Sequence, residues 1–336
     1  MDMSSRRRGP PSRPIRPSRW PTRSWNWPEA PHEVDRPRRS CRRRVHRLRP
    51  VRLADAVAGG PAGRVDAVTP PPPPLSYSLH APVSSARVHH AALGGQDFYD
   101  SYEADEDVVR RLTDIGYPAR AAARAGRAFH LRAVTYATET LGLHQVLDIG
   151  PGLPPHTGVD THSIAALYTG DRARTLYADT DPIVVARWDP WLRGRHVRAA
   201  QTDLRRTETL LAEADAHFDL RYPVAVVATA VLDTIDDQDQ PHLCMRRIME
   251  ALVPGSVLVL SHLTYEDNPP LVHQAESILR KAGLTSCARG FEDIAAFFGD
   301  LTAVGPGLVP VSQWYPTGAD PDDRSTVHTY GGVGIT

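Results

Sequence analysis

The sequence predicts an α/β fold with a mostly parallel sheet, and three observations carry that prediction. From about residue 84, helix-type and strand-type periodicities alternate. A glycine-bearing turn, VLDIGPGLPP (Val146–Pro155), follows the first strand of the series. Acids then stand at the ends of successive strands, where ligands bind in doubly wound sheets.

The elements follow in order. ARAAARAGRAFHLRAVTYATETLGL (119–143) reads as one long helix, because Phe129, Ala133, Tyr136 and Ala137 recur at helical spacing and form one apolar stripe. Strand one is Gln145 to Ile149, a helix starts at about Thr161, and strand two is RTLYAD (174–179). Asp181 caps a helix that begins at Pro182, whose missing N–H costs nothing in a first turn. HVRAA (196–200) and PVAVVATAV (223–231) are strands three and four. PHLCMRRIMEALVPG (241–255) is a helix with Met245, Ile248, Met249 and Leu252 on one face, stopped by Pro254 and Gly255. SVLVLSHL (256–263) is strand five, followed by helices around 271–282 and 291–298. GLVPVSQW and STVHTYGGVGIT read as an antiparallel closing pair.

The chain has 336 residues, and its formal charge of zero hides an asymmetry. Residues 1–80 hold 17 arginines against 6 acids, while the remainder has 22 basic and 33 acidic residues. That first segment, rich in Arg, Pro and Ser, lacks the apolar content to offset its ordering entropy and is expected to be a disordered tail before a single domain over 81–336. Its arginines interleave with Trp20, Trp25 and Trp27, a composition able to grip nucleic acid. A single lysine against 38 arginines instead reflects a coding bias, so nucleic acid is not the favoured partner. Three dispersed cysteines suggest neither zinc nor a disulfide framework and fit a reducing cytoplasm. No apolar run is long enough for a membrane span.

The first turn separates two classes of enzyme. A dinucleotide site calls for G-x-G-x-x-G; here Gly150 and Gly152 fit, but Pro155 takes the third glycine's place and an acid, Asp148, precedes the turn. S-adenosylmethionine accounts for both departures, since it has no pyrophosphate and carries an ammonium group. Asp148 would meet that ammonium directly or through water, and Gly150 and Gly152 would clear the contact face. Asp179, ending strand two, is the expected ribose ligand. Asp203, after strand three, would accept from the adenine amino group while Leu204 packs on the ring; the alternative is a loop acid capping the next helix.

With these residues, the chain from about Ser84 to its end resembles a largely uncharacterised family of S-adenosylmethionine-dependent methyltransferases found mostly in actinobacteria. The shared marks are ARVHHAALGGQDFYDSYEAD, RAFHLRAV, the first turn with its GLP, THSIA, YADTDP, VLVLSH and GLVPVSQWYP. The resemblance implies a class I methyltransferase (Rossmann-like) fold: seven strands, mostly parallel, with an antiparallel closing strand. It also implies an N-terminal helical lid in which Leu93, Gly94, Gly95 and Asp97 help to enclose cofactor or substrate. Departures from the family pattern fall on the substrate side. Gln96 replaces a Lys, His89 and His90 a Tyr-Asp pair and Gly126 an Asn, while Asp233 stands where His is common.

Methyl transfer needs a general base only when the nucleophile arrives protonated. Asp233 and His262, at the carboxyl ends of central strands, are the catalytic candidates, with His162 and His156 near the first turn. Asp233, Asp236, Asp237 and Asp239 are more simply solvated or capping than metal-binding, so no metal is expected. The expected partner is a small-molecule methyl acceptor. A regulatory or inactive cofactor-binding protein and a nicotinamide oxidoreductase remain the alternatives.

Overall fold

The computed structural model describes residues 82–95, 102–155, 159–188, 196–315 and 327–336. The expected tail over 1–80, with its tryptophans, lies outside the described residues, as do Gln96, Asp97 and His156.

Five parallel strands form the centre: β1 (Gln145–Ile149), β2 (Arg174–Asp179), β3 (Val197–Gln201), β4 (Ala225–Thr229) and β5 (Val257–Leu263). Their spatial order is β3-β2-β1-β4-β5, so the chain reverses direction across the sheet between β1 and β4. β8 (Thr329–Ile335) runs antiparallel beside β5, and β6 (Thr302–Ala303) lies at its far edge. These seven strands follow one path, as the sequence predicts, and an eighth, β7 (Val309–Pro310), pairs off that path with β8. The closing pair expected from GLVPVSQW is thus only two residues long. Pro310 and a short 3₁₀ turn over Val311–Gln313 end β7, and β5 is the main partner of β8.

Strand alternation divides the core between the two faces of the sheet. Leu147, Val226, Ala228, Leu258 and Leu260 turn to one face, against α6 (Thr207–His217), α7 (Pro241–Glu250) and α9 (Phe291–Ala295). Val146, Ala225, Val227, Val257 and Val259 turn to the other, against α3 (Ala119–Thr135) and α4 (Thr161–Thr169). The expected stripes are present: Phe129, Ala133 and Ala137 are fully buried, as are Met245 and Ile248. The long helix is not uniform, since its last turn, Tyr136–Thr140, widens to π geometry. There the Leu143 amide reaches the Ala137 carbonyl at 3.0 Å.

A separate apolar cluster joins α1 (Ser85–Ala92), α2 (Tyr102–Asp114), the start of α3 and α8 (Pro269–Lys281) into a helical cap. The buried Arg87–Asp105 ion pair at 2.7 Å ties α1 to α2. No helix among the described residues is long and apolar enough to cross a membrane.

Candidate functional site

A cavity of about 560 Å³ opens between the carboxyl ends of the parallel strands and the helical cap. The turn after β1 forms its floor. Gly150 and Gly152 have φ of +65° and +66°, the left-handed region that favours glycine. Their remaining roles differ. A Cβ on Gly150 would lie 2.7 Å from Val231 Cγ2, so this glycine admits the loop after β4. A Cβ on Gly152 would meet nothing within 4 Å, so its bare face is turned to open space in the cavity. α5 (Pro182–Trp188) holds this turn: the Trp188 indole N–H donates to the Gly152 carbonyl at 2.8 Å, and its ring stacks on Tyr177 with centroids 4.1 Å apart.

Asp148 does not reach the cavity wall. Its side chain is buried on the α3 and α4 side, where Thr161 donates to Oδ2 at 2.6 Å while Oδ1 has no partner. Thr161, its own proton spent on the carboxylate, accepts from His130 Nε2 at 2.8 Å. That assigns the tautomer, leaving His130 Nδ1 to accept from the Thr229 hydroxyl at 2.9 Å. Burial, with the Arg127 and His89 charges, pushes His130 down to about 3 and keeps it neutral. Burial pushes Asp148 up to about 7, against the Thr161 bond and the Arg127 charge that favour the ionised form. His130 and Thr229 line the cavity, with Asp148 one layer behind them. The expected direct contact of Asp148 with an ammonium group is therefore not what this geometry offers.

Asp179, Asp203 and Leu204 all line the cavity. Asp179, at the end of β2, is raised to about 6 by burial; backbone N–H groups of Asp181, Gly152 and Thr180 favour its ionised form. The Asp181 amide bond measures 2.9 Å. Asp181 also caps α5 as expected, accepting from the Ile183 amide at 2.8 Å. Asp203 is engaged by Arg205, which donates from its amide, Nε and Nη2. Burial pushes the Asp203 carboxyl up, but the Arg205 bonds bring it net below the usual carboxylate range. Leu204 belongs to the core beneath, only 4% exposed.

Asp233 lies on a 3₁₀ turn (Leu232–Thr234) after β4 and lines the cavity. Its Oδ1 is buried without a partner, and burial raises the carboxyl to about 6. His262 does not join it. Ser261 and Leu263 line the cavity, so strand alternation sends His262 to the opposite face, against Phe297. Its Nδ1 donates to the Leu263 carbonyl at 2.7 Å and its Nε2 accepts from Arg289 at 2.6 Å. Burial foremost, with the Arg289 charge, pushes it down to about 3. This histidine is a structural group, which corrects its selection as a base.

His162 sits between Tyr177, at 3.0 Å, and Asp160, at 3.1 Å, beside α4 and outside the cavity wall. Gly94 and Gly95 follow α1 and do not line the cavity; a Cβ on Gly95 would run into the His90 ring. The lid wall is α1 itself, through Ser85, Val88, His89 and Ala92. In the acidic loop, Asp237 pairs with Arg289, Asp239 with Arg205, and Asp236 caps the turn that follows. Among the described residues no cluster of metal-ligating side chains occurs.

Four positions that line or brace the cavity escape sequence reasoning. Arg127 and His130 come from α3, whose periodicity marks a core face but not the part of it left uncovered at the sheet edge. Tyr117 follows α2, stacks on His328 with centroids 5.7 Å apart, and is raised by burial and by Asp233. Arg289 donates to the Leu232 and Ile235 carbonyls, both at 2.9 Å, and so clamps the turn that carries Asp233. Trp188, which braces the glycine turn through its indole, is a fifth such position.

A family model described as S-adenosyl methyltransferase matches residues 78–336. A DUF574 family protein from Streptomyces avermitilis is similar in structure, with 29% identity and a TM-score of 0.70 over 76% of this chain and 97% of its own. A putative methyltransferase from Thermobifida fusca shares 30% identity, with a TM-score of 0.67 over 76% of this chain and 94% of its own. No curated protein matches the chain.

Proposed function

Since the chain belongs to the S-adenosyl methyltransferase family, we propose that its cavity seats S-adenosylmethionine across the Gly150–Gly152 turn and a small-molecule acceptor beneath the helical cap. The observation that carries this reading is the conjunction of a bare Gly152 face and the Asp179 carboxylate on one cavity floor. The residues fit the cofactor: Asp179 can accept from a ribose diol, and Leu204 offers an apolar surface for a base. Asp203 would meet the adenine only by sharing its carboxylate with Arg205. The neutral His130–Thr229 pair stands between Asp148 and the cavity, so Asp148 acts through this layer, fixing the tautomer that leaves the Thr229 oxygen free to accept. Gly94 and Gly95 serve by letting the chain turn sharply after the α1 wall.

When bound, the cofactor supplies an electrophilic methyl group on a sulfonium, open to in-line displacement. What the chain contributes is alignment and the handling of a proton. Asp233 has a buried, unpartnered oxygen at the end of β4 and a carboxyl raised to about 6, so it is ionised at neutral pH and able to take a proton from an acceptor. The Tyr117 phenol, raised by burial, stays protonated as a donor at the same end. Apolar residues of the cap, among them Val109, Leu112, Ala123 and Leu279, surround the acceptor's body, and the cavity volume is that of a small-molecule site.

Calorimetric titration of the parent and of Asp233→Asn with S-adenosylhomocysteine and with NAD tests this reading. Both proteins should bind S-adenosylhomocysteine with similar affinity and ignore NAD, and turnover on an acceptor should fall in the variant. Binding of NAD in its place would overturn the reading.

A further inference from the structure

The cofactor-binding end of the cavity holds a cation that the reading above leaves unused. Arg127 lies on α3 between two other wall residues, Ala123 one turn before and His130 about one turn after. Its Nη2 donates to the Val159 carbonyl at 2.7 Å, just ahead of the Asp160 cap of α4. The guanidinium is thereby held over the segment that follows the glycine turn. Among the described residues it forms no ion pair, unlike Arg205, the other arginine on the wall, which Asp203 and Asp239 take up. A guanidinium has five N–H donors, and this bond uses one. Gly126 beside it leaves the wall open, since a Cβ there would meet nothing within 4 Å. The Arg127 charge acts on the groups around it, disfavouring the protonated forms of His89 and His130 and favouring ionised Asp148.

The acids on the cavity wall offer the carboxylate of S-adenosylmethionine no counterpart. Asp179 and Asp203 address its sugar and base, but its amino-acid end also carries a carboxylate, which no acid can hold. We propose that Arg127 anchors this α-carboxylate through a charge-assisted pair at the α3 wall, making that wall the subsite for the amino-acid end. The proposal rests on the cavity being the S-adenosylmethionine site. Arginine suits the role because its planar fork matches a carboxylate and its charge is permanent. Neutral His89 and His130 flank it without competing for the anion.

Two ligands separate this role from a structural one: S-adenosylhomocysteine, and 5′-methylthioadenosine, which keeps the nucleoside and sulfur but lacks the amino acid. Arg127→Met should weaken S-adenosylhomocysteine by about 10- to 100-fold and leave 5′-methylthioadenosine within about twofold. Arg127→Lys, which keeps the charge and loses the fork, should fall between. In the parent, the decarboxylated analogue S-adenosyl-3-thiopropylamine should bind about as weakly as S-adenosylhomocysteine binds Arg127→Met. This last comparison stays informative if the methionine variant does not fold. Equal loss for both ligands, or no loss for either, would overturn the anchor while leaving the site intact. A parent protein that binds neither ligand would overturn the site itself.

Discussion

The Asp148 carboxyl is buried behind the cavity wall, where Thr161 donates to it and His130 stands 3.8 Å away. The acid before a glycine turn was legible, and so was its place at the end of β1. What it touches was not, because Thr161 and His130 come from 13 and 18 positions away along the chain. In the folded protein burial holds this carboxyl near 7, whereas in the unfolded chain it titrates near the usual value of about 4. The folded state thus keeps a proton that the unfolded chain has released. The contribution of Asp148 to stability is fully present below about pH 4 and is lost as pH rises to about 7, with an upper limit of about 4 kcal/mol. Asp148→Asn removes that titration. Denaturant unfolding at a series of pH values should show the variant gaining stability relative to the parent between pH 4 and 7; parallel curves would contradict the buried network.

At the scale of elements, strands, helices and the antiparallel closing strand were legible, and the packing of side chains between elements was not. β1 and β2 have the bounds their apolar runs predict. His262 was selected because it ends a strand, yet parity along SVLVLSHL was available and puts it on the face away from Ser261 and Leu263. Nor does local sequence announce that β8 packs beneath aromatic rings. A Cβ on Gly331 would lie 2.9 Å from Phe129 and one on Gly334 would lie 2.9 Å from Phe298, contacts that exist only once β8 is inserted next to β5. The short helix α5 acts on function in a similar way, through one indole. Trp188→Phe keeps most of the stacking on Tyr177 and loses the bond to the Gly152 carbonyl, which should cost about 1 kcal/mol of stability. It should also weaken S-adenosylhomocysteine several-fold by loosening the turn. Calorimetry on the folded variant checks this, and unchanged affinity would mean that the turn holds its shape without α5.

Across the whole molecule, the family match begins at residue 78, close to where the Arg- and Pro-rich composition ends. We propose that residues 1 to about 80 are dispensable for the cofactor site. A chain starting at Leu75 should unfold cooperatively and bind S-adenosylhomocysteine like the full chain, and loss of either property would assign the basic segment a structural role. The site itself joins parts distant in sequence: the β1 turn, the end of β2, the loop after β4 and the helical cap. We propose that Gly152 and Asp179 form one floor for S-adenosylmethionine. Asp179→Ala removes charge-assisted bonds to two hydroxyls, at a cost of about 2 to 3 kcal/mol, or roughly 30- to 150-fold in affinity. Gly152→Val places a branched side chain at φ +66° in the space the ligand needs, and should cost at least as much. The most direct measurement is the affinity of each folded variant for S-adenosylhomocysteine beside that of the parent. Both losses are expected with cooperative unfolding retained; parent-like affinity in both folded variants would contradict a shared floor.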